Sequence, residues 1–109
     1  MATYSNIFID QGSDFAMTVD LTQSVGTLSL TGYTARGQIK KTYASSTKVD
    51  FTVGVDTANT ELDISLSSTQ TGGMKAGRYV YDIEIVSSSS HVTRVLEGQV
   101  EVTPRVTTG

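Results

Sequence analysis

The only histidine in this 109-residue sequence, His91, follows a run of four serines at positions 87–90. A catalytic triad needs a histidine that a carboxylate orients and that faces an activated hydroxyl. A serine-rich run beside an alternating segment is more typical of a polar turn that leads into a strand. Nothing marks any of these serines as activated, so we expect a solvated turn histidine, no catalytic residue and no enzyme.

A second candidate site consists of carboxylates. Asp82 and Glu84 share one face of a predicted strand, and Glu97 and Glu101 do the same on the next strand. Such pairs could act as an acid and a base or bind a cation. However, strand alternation produces them automatically, and the sequence has no aspartate-rich calcium loop. We therefore expect a solvated sheet face, with Arg94 paired to these carboxylates across strands, and no metal site.

Exposed aromatic side chains can stack on sugars, and Tyr4, Tyr33 and Tyr43 are the candidates. Tyr33 alternates with apolar positions and is predicted to be buried, whereas Tyr43 lies in a polar loop and is the better surface candidate. Glycines 72, 73 and 77 lack the long helix and the Lys-Ser pair that follow a phosphate-binding loop. We expect no cofactor and no small-molecule substrate.

The elements that position these residues are predicted by apolar side chains at every second position, the pattern of a half-buried strand. Gly37 interrupts one strand and indicates a bulge or a close approach of another chain segment. Residues 67–73 break the alternation, and Ser67 or Ser68 could cap a single helical turn that Gly72 and Gly73 end. The predicted strands lie at 7–9, 15–21, 28–30, 33–39, 49–55, 62–66, 79–85 and 92–102.

About seven or eight short strands predict an all-β fold, a two-layer antiparallel β-sandwich, with a partly closed barrel as the alternative. We expect one domain over 1–109, with an N-terminal arm at 1–6 and a C-terminal tail at 104–109. Tyr79 follows Gly77 at the start of a late strand, as in the tyrosine corner of immunoglobulin-type domains. Tyr81 then takes the place of the second cysteine of an antibody domain, which predicts an immunoglobulin-like architecture without its disulfide.

Composition excludes several classes of function. The net charge is −3 and the basic residues are scattered, with only Lys40 and Lys41 adjacent, so we expect no nucleic-acid binding. There is no cysteine for a disulfide or a thiolate metal site. The first ten residues have neither a basic start nor a long apolar segment, so we expect no signal peptide, no membrane contact and synthesis in the cytoplasm.

Four segments of the sequence follow one another in a recognisable order. They are Ile9-Asp10-Gln11-Gly12 with Phe15, residues 30–39 from Leu30-Thr31-Gly32-Tyr33 to Ile39, Ala76-Gly77-Arg78-Tyr79-Val80-Tyr81-Asp82, and residues 94–104 from Arg94-Val95-Leu96-Glu97-Gly98 to Pro104. This order resembles that of small virion proteins of tailed bacteriophages, including those that infect marine cyanobacteria, and it is similar to the N-terminal domain of phage baseplate upper proteins. Members of these families are structural, so the resemblance implies a component of a particle and no catalytic residues.

These observations predict a non-enzymatic phage virion protein that decorates the capsid or forms part of the tail or baseplate. It would contact other virion proteins, form a homo-oligomer and reside in the virion after synthesis in the host cytoplasm. The alternative is a free-standing recognition module that binds a carbohydrate or a protein through its loops. The candidate partner-binding residues are Thr3, Tyr4, Tyr43, Arg105 and Val106.

Overall fold

The computed structural model describes residues 3–21 and 30–106 and shows the predicted all-β fold, in which two sheets pack against each other. The larger sheet has six strands and the smaller sheet has three. We call them the large sheet and the small sheet. The elements are β1 Thr3–Tyr4, β2 Ile7–Asp10, β3 Phe15–Asp20, β4 Thr34–Lys40, β5 Lys48–Asp50, β6 Thr52–Asp56, β7 Glu61–Leu66, α1 Ser68–Gly72, β8 Gly77–Val86 and β9 Val92–Thr103.

The large sheet is ordered β1-β9-β8-β4-β5, with β2 also paired to β9, and the small sheet is ordered β3-β7-β6. Most neighbouring strands are antiparallel, as predicted, but β1 and β2 run parallel to β9. Parallel pairing is possible here because most of the chain separates these strands, so no tight hairpin joins them. Thr3 and Tyr4, which were predicted to belong to an extended arm, instead form the edge of the large sheet.

The prediction of one continuous strand at 49–55 is wrong. Its first half, β5, pairs with β4 in the large sheet, and its second half, β6, pairs with β7 in the small sheet. The chain changes sheets at Phe51, which is buried and donates its backbone N–H to the Gly37 carbonyl at 2.9 Å. Because Phe51 points into the core shared by both sheets, the apolar alternation continues without a break across the change.

The described residues therefore contain nine strands, more than the seven or eight predicted. The predicted strand at 28–30 does not contribute to this number. Leu28 lies outside the described residues, and Leu30 is buried but belongs to no strand. Leu30 still adds to the core, although its backbone is not part of either sheet ladder.

The core lies between the two sheets and is built mostly from the predicted alternating positions, to which Met74 and Val95 are additions. Burying each of these side chains contributes roughly 1.5–3 kcal/mol, so the core is the main source of stability. Tyr33, which was predicted to be buried, is partly buried against it. The core residues are Ile7, Ile9, Leu21, Leu30, Ile39, Phe51, Leu62, Ile64, Leu66, Met74, Tyr81, Ile83, Ile85, Val95, Leu96, Val100 and Val102.

The predicted helical turn is confirmed as α1. Ser67 caps it by accepting the Gln70 backbone N–H at 3.1 Å, while the Gln70 side chain accepts the Ser67 backbone N–H at 3.0 Å. Thr71 is fully buried, accepts the Gly12 N–H and donates to the Ser13 carbonyl at 2.8 Å. The turn thus anchors the β2–β3 connection. No helix within the described ranges has the length and apolarity to cross a membrane.

Two tyrosines of β8 are fixed by their hydroxyl groups. The Tyr79 hydroxyl donates to the Lys75 carbonyl at 2.7 Å, which is the backbone contact predicted for a tyrosine corner. The Tyr81 hydroxyl donates to the Ser5 carbonyl at 2.6 Å, and its ring meets Phe51 edge to face. Tyr81 therefore connects the centre of the large sheet to its N-terminal edge.

Gly37 and Gly98 allow the close approaches on which this arrangement depends. A Cβ atom at Gly37 would collide with the Ile83 side chain, so the close approach predicted at Gly37 is confirmed. A Cβ atom at Gly98 would collide with the Ser5 carbonyl and press on the Tyr81 ring. Gly98 is the register partner of Tyr81, so its missing side chain leaves room for the tyrosine to reach Ser5.

Candidate functional site

The serine run and His91 form the β8–β9 turn, as predicted. The Ser87 backbone N–H donates to the His91 carbonyl at 3.0 Å, and the Ser87 hydroxyl accepts the His91 backbone N–H at 3.0 Å. The Ser87 and Ser89 hydroxyls also contact each other at 3.0 Å. The Ser87 hydroxyl, directly after β8, therefore closes the turn, and the exposed His91 is held by its backbone.

The outward side of the large sheet collects most of the polar candidates. The register places five residues of five strands side by side, and we call them the central row: Tyr4, Glu97, Asp82, Gln38 and Asp50. Paired residues project to the same side of a sheet, so this row crosses the whole outer face. Strands about 4.8 Å apart hold its members within reach of their neighbours.

Arg94 joins two carboxylates of the central row. Its guanidinium lies 3.4 Å from Asp82 on β8, which confirms the predicted pairing across strands, and 3.5 Å from Glu97 on its own strand. Arg36 pairs in the same way with Glu84 at 2.9 Å. These contacts are partly solvent-exposed, so each contributes little to stability. Their effect is to hold charged side chains in defined positions on the outer face.

A β-bulge makes the position of Arg94 possible. Ile83 pairs with Leu96 and Glu84 pairs with Arg94, so Val95 is an extra residue on β9. The side chain of this extra residue points into the core. As a result, both Arg94 and Glu97, three positions apart, lie on the outer face. The sequence carries a signal for this bulge, because Val95 and Leu96 are adjacent apolar residues in an otherwise alternating strand.

Glu101 shares the outer face with Glu97, as predicted, but it belongs to a different group. The register places Glu101 between Arg78 on β8 and Phe8 on β2. It therefore does not join the carboxylates around Arg94.

The pKa of Asp82 is affected by its surroundings. Burial raises the pKa of Asp82 above its usual value, and the nearby Glu84 and Glu97 raise it further, while Arg94 and Lys40 oppose the rise. The protonated form of Asp82 is thus easier to reach than that of a free aspartate.

These residues line a shallow depression of about 330 Å³ on the outer face. Tyr43 stands at its rim on the β4–β5 loop and is 77% exposed, so the predicted surface position is confirmed. The loop is ordered by a turn in which the Ser45 N–H donates to the Thr42 carbonyl at 3.1 Å. The lining residues are Gln38, Lys40, Tyr43, Val80, Tyr81, Asp82, Glu84, Arg94 and Glu97.

A separate feature of the outer face is the aromatic edge, which consists of Tyr4 and Phe8. Tyr4 is 61% exposed and Phe8 is 68% exposed. Sequence reasoning identified Tyr4 but missed Phe8. The signal was present, because Phe8 lies between Ile7 and Ile9, whose side chains occupy the core, and an apolar residue on the opposite face must be exposed.

The predicted partner-binding residues do not form one surface. Thr3 and Tyr4 pair with β9 near its middle, whereas Arg105 and Val106 follow the end of that strand. The Arg105 N–H donates to the Gln11 side chain at 3.2 Å, and Val106 is 98% exposed. Tyr43 lies on the β4–β5 loop. A role for these residues in binding a partner stays a prediction.

Within residues 3–21 and 30–106, no group of three or more histidine, cysteine, aspartate or glutamate side chains is arranged to hold a metal ion. Comparison with protein-family models and with curated proteins gives no match for this chain. Its function must therefore be argued from the two surfaces of the large sheet described above, the aromatic edge and the depression.

Proposed function

We propose that this chain is a non-enzymatic structural protein of a tailed-bacteriophage virion, either a capsid decoration protein or a component of the tail or baseplate. It acts through contacts with other virion proteins and with copies of itself, and it resides in the virion after synthesis in the host cytoplasm. The observation that carries the proposal is the aromatic edge. The resemblance of four sequence segments to phage virion proteins supplies the biological setting.

We also propose that the sandwich is immunoglobulin-like. The strand order β9-β8-β4-β5 opposite β3-β7-β6 corresponds to strands G-F-C-C′ opposite B-E-D of that architecture. The Tyr79 contact with Lys75 supports the same proposal. Sandwiches of this kind serve many unrelated functions, so the architecture gives a scaffold and the surfaces must supply the function.

The aromatic edge suits a protein contact. Aromatic side chains are enriched at the centres of interfaces because they bury a large area with little loss of conformational entropy. Here they project from strands whose backbones are fixed by the parallel ladder to β9. The strands are short and are interrupted at residues 5–6, which discourages addition of a further strand. Contact through side chains is therefore favoured over extension of the sheet.

A second copy of the chain is the first partner we expect at this edge. Phe8, Glu101 and Arg78 lie side by side, so the surface around the phenyl ring carries both signs of charge. A surface with an apolar centre and both charges can be complementary to itself across a two-fold axis. The aromatic edge would then form the homo-oligomer and also contact neighbouring subunits on a particle.

Sedimentation velocity tests this contact. The wild-type chain should self-associate, whereas Tyr4→Ser/Phe8→Ser should sediment as a monomer with an unchanged circular-dichroism spectrum. Val92→Ser is the matched control, because Val92 is 46% exposed but lies in the β8–β9 hairpin, and it should associate like the wild type. A monomeric wild type, or an associated double variant, would contradict the role of the aromatic edge.

The virion assignment has its own test. Mass spectrometry of purified phage particles from the source of the sequence should detect the chain in a fixed ratio to the major capsid or tail proteins. Cryo-electron microscopy of the same particles should show a sandwich of this size in many symmetric positions. Particles that lack the chain would rule out the assignment.

A second candidate function is recognition of a carbohydrate or a protein by a loop and the adjoining sheet face. Tyr43 favours it, because this aromatic side chain is strongly exposed beside a depression lined by polar groups. The two functions use different surfaces and are compatible in one molecule.

A further inference from the structure

We propose that the depression on the outer face of the large sheet binds a neutral saccharide, with Tyr43 as the stacking residue. The proposal deepens the recognition function and rests on it. It does not depend on the aromatic edge or on a place in a virion, so the two proposals can fail separately.

The floor of the depression is rigid. Gln38, Asp82 and Glu97 lie side by side on three neighbouring strands, β4, β8 and β9, which are joined by antiparallel ladders. The opposite sides of β8 and β9 bury Ile83 and Leu96 in the core, so the backbone under the polar groups cannot shift easily. Polar groups on a rigid surface lose little entropy when a ligand binds.

The polar groups match the hydroxyls of a sugar. Each hydroxyl can donate one hydrogen bond and accept others. Asp82 and Glu97 are acceptors, Arg94 and Lys40 are donors, and the Gln38 amide is both. Adjacent hydroxyls on a sugar ring are close enough to bridge neighbouring carboxylates and the guanidinium between them.

The charge balance favours a neutral ligand. An anion such as phosphate would meet Asp82, Glu84 and Glu97, which outnumber the two cationic side chains of the lining. A small cation would find two of these carboxylates already paired with Arg94. A neutral, hydroxyl-rich molecule avoids both penalties, because it exchanges hydrogen bonds with water for hydrogen bonds with fixed polar groups.

Tyr43 supplies the apolar part of the contact. One face of a pyranose ring exposes C–H groups, and an aromatic ring at the rim of a polar site can pack against that face. The size also fits, since about 330 Å³ lies near the lower end of ligand pockets, roughly 300–1,000 Å³. One or two sugar rings fill such a space, and a shallow site of this kind binds them weakly.

The test is a titration of the ¹⁵N-labelled chain followed by NMR. The probes are glucose, galactose, mannose and N-acetylglucosamine, with glucuronate and inorganic phosphate as charged comparisons, each up to roughly 50 mM because weak binding is expected. At least one neutral sugar should shift the amide signals of Gln38, Asp82 and Glu97 in a saturable way. Absence of any saturable shift with the neutral sugars, or shifts with phosphate or glucuronate alone, would overturn the proposal.

Variants separate this site from the aromatic edge. Tyr43→Ala should weaken sugar binding by about tenfold or more and leave self-association unchanged. Phe8→Ser should weaken self-association and leave sugar binding unchanged, since Phe8 lies outside the depression. Circular dichroism of both variants should match the wild type, because both side chains are exposed. Sugar affinity that is unchanged in Tyr43→Ala would contradict the assignment of Tyr43.

Discussion

The two faces of β8 and β9 differ in character although the same backbones carry them. The inner face of β8 buries Tyr81, Ile83 and Ile85 in the core, where they are 4%, 0% and 1% exposed. On the outer face the intervening Asp82 and Glu84 are only partly covered and take part in ion pairs. One pair of strands therefore provides both the stability of the domain and its most polar surface.

Substitutions on the two faces should therefore alter different properties of the protein. Inner side chains are packed at the density of an organic crystal, so a change in their volume alters the free energy of unfolding. Outer side chains exchange contacts with water at little net gain, so a change there alters binding and local charge more than stability. Paired substitutions at closely packed and at exposed contacts test this expectation.

Ile83→Ala should lower the free energy of unfolding by about 2–5 kcal/mol, because Ile83 is fully buried and its loss leaves a cavity between the sheets. Glu84→Ala, at the next position, should change it by less than about 1 kcal/mol, since the pair with Arg36 is partly solvated. Urea unfolding followed by fluorescence measures both. Equal losses in the two variants would contradict the separation of the faces.

Gly98→Ala should cost about 1–3 kcal/mol, because the new methyl group would collide with the Ser5 carbonyl and press on the Tyr81 ring. Hydrogen exchange of the Ser5 amide, which donates to the Glu97 carbonyl at 2.8 Å, should also accelerate. Gly54→Ala is the control, since its methyl group would have its nearest contact at 3.9 Å. If both alanines are tolerated equally, Gly98 is not required for the N-terminal edge.

Tyr81→Phe should cost about 1–2 kcal/mol near pH 8, because the part-buried Ser5 carbonyl loses its hydrogen bond from the hydroxyl. Tyr79→Phe should cost less, about 0.5–1 kcal/mol, since its contact with Lys75 is exposed. Urea unfolding of both variants gives these values. A larger loss of stability in Tyr79→Phe would contradict the expectation that the Tyr81 hydrogen bond contributes more.

The advantage of wild type over Tyr81→Phe should also depend on pH. Burial raises the pKa of Tyr81 from 10.0 to about 12. Below pH 10 the phenol is protonated in the folded and the unfolded chain, so its contribution is complete. Between pH 10 and about 12 only the unfolded chain loses the proton, so the advantage declines. Parallel pH curves for the two proteins would contradict the burial of this hydroxyl.

Arg94→Gln should have the smallest effect on stability, below about 0.5 kcal/mol, because Arg94 is half-exposed. It should nevertheless raise the pKa of Asp82 further, since the charge that opposes the rise is removed. Carboxyl-carbon NMR across an acid titration measures this pKa. Arg36→Gln, which removes the partner of Glu84, should alter the Asp82 pKa less. An unchanged Asp82 pKa in Arg94→Gln would show that the ion pair is absent in solution.

Much of the fold was predictable because it depends on local patterns. The alternation from Phe15 to Val19 and from Tyr79 to Ile85 reports which side of a strand is buried, and the structure confirms it. The α1 turn was predictable from Ser67 and the two following glycines, since capping involves residues only three positions apart. The alternation of residues 49–55 was equally clear, yet it could not reveal that the chain changes sheets at Phe51.

The candidate site was less predictable, because it depends on register. Arg94 was expected to meet carboxylates across strands, and the bulge at Val95 sets the register that brings it to Asp82 on β8. Glu97, which also contacts Arg94, lies on the same strand as the arginine. Likewise, the sequence indicates that Tyr43 is exposed and does not indicate what lies beside it. The depression arises only when the loop between β4 and β5 is placed against β8 and β9.

The alternation and the capping signal in the sequence are enough to predict an all-β chain, most of its core residues and the place of its helical turn. These properties follow from the two-residue period of a strand and from hydrogen bonds between near neighbours. Tertiary structure alone decided that β1 and β2 lie parallel to β9, that Tyr81 reaches Ser5 over Gly98, and that a polar depression forms beside Tyr43. The physical reason is that strand pairing joins residues far apart in the chain, and their register depends on the packing of both sheets at once.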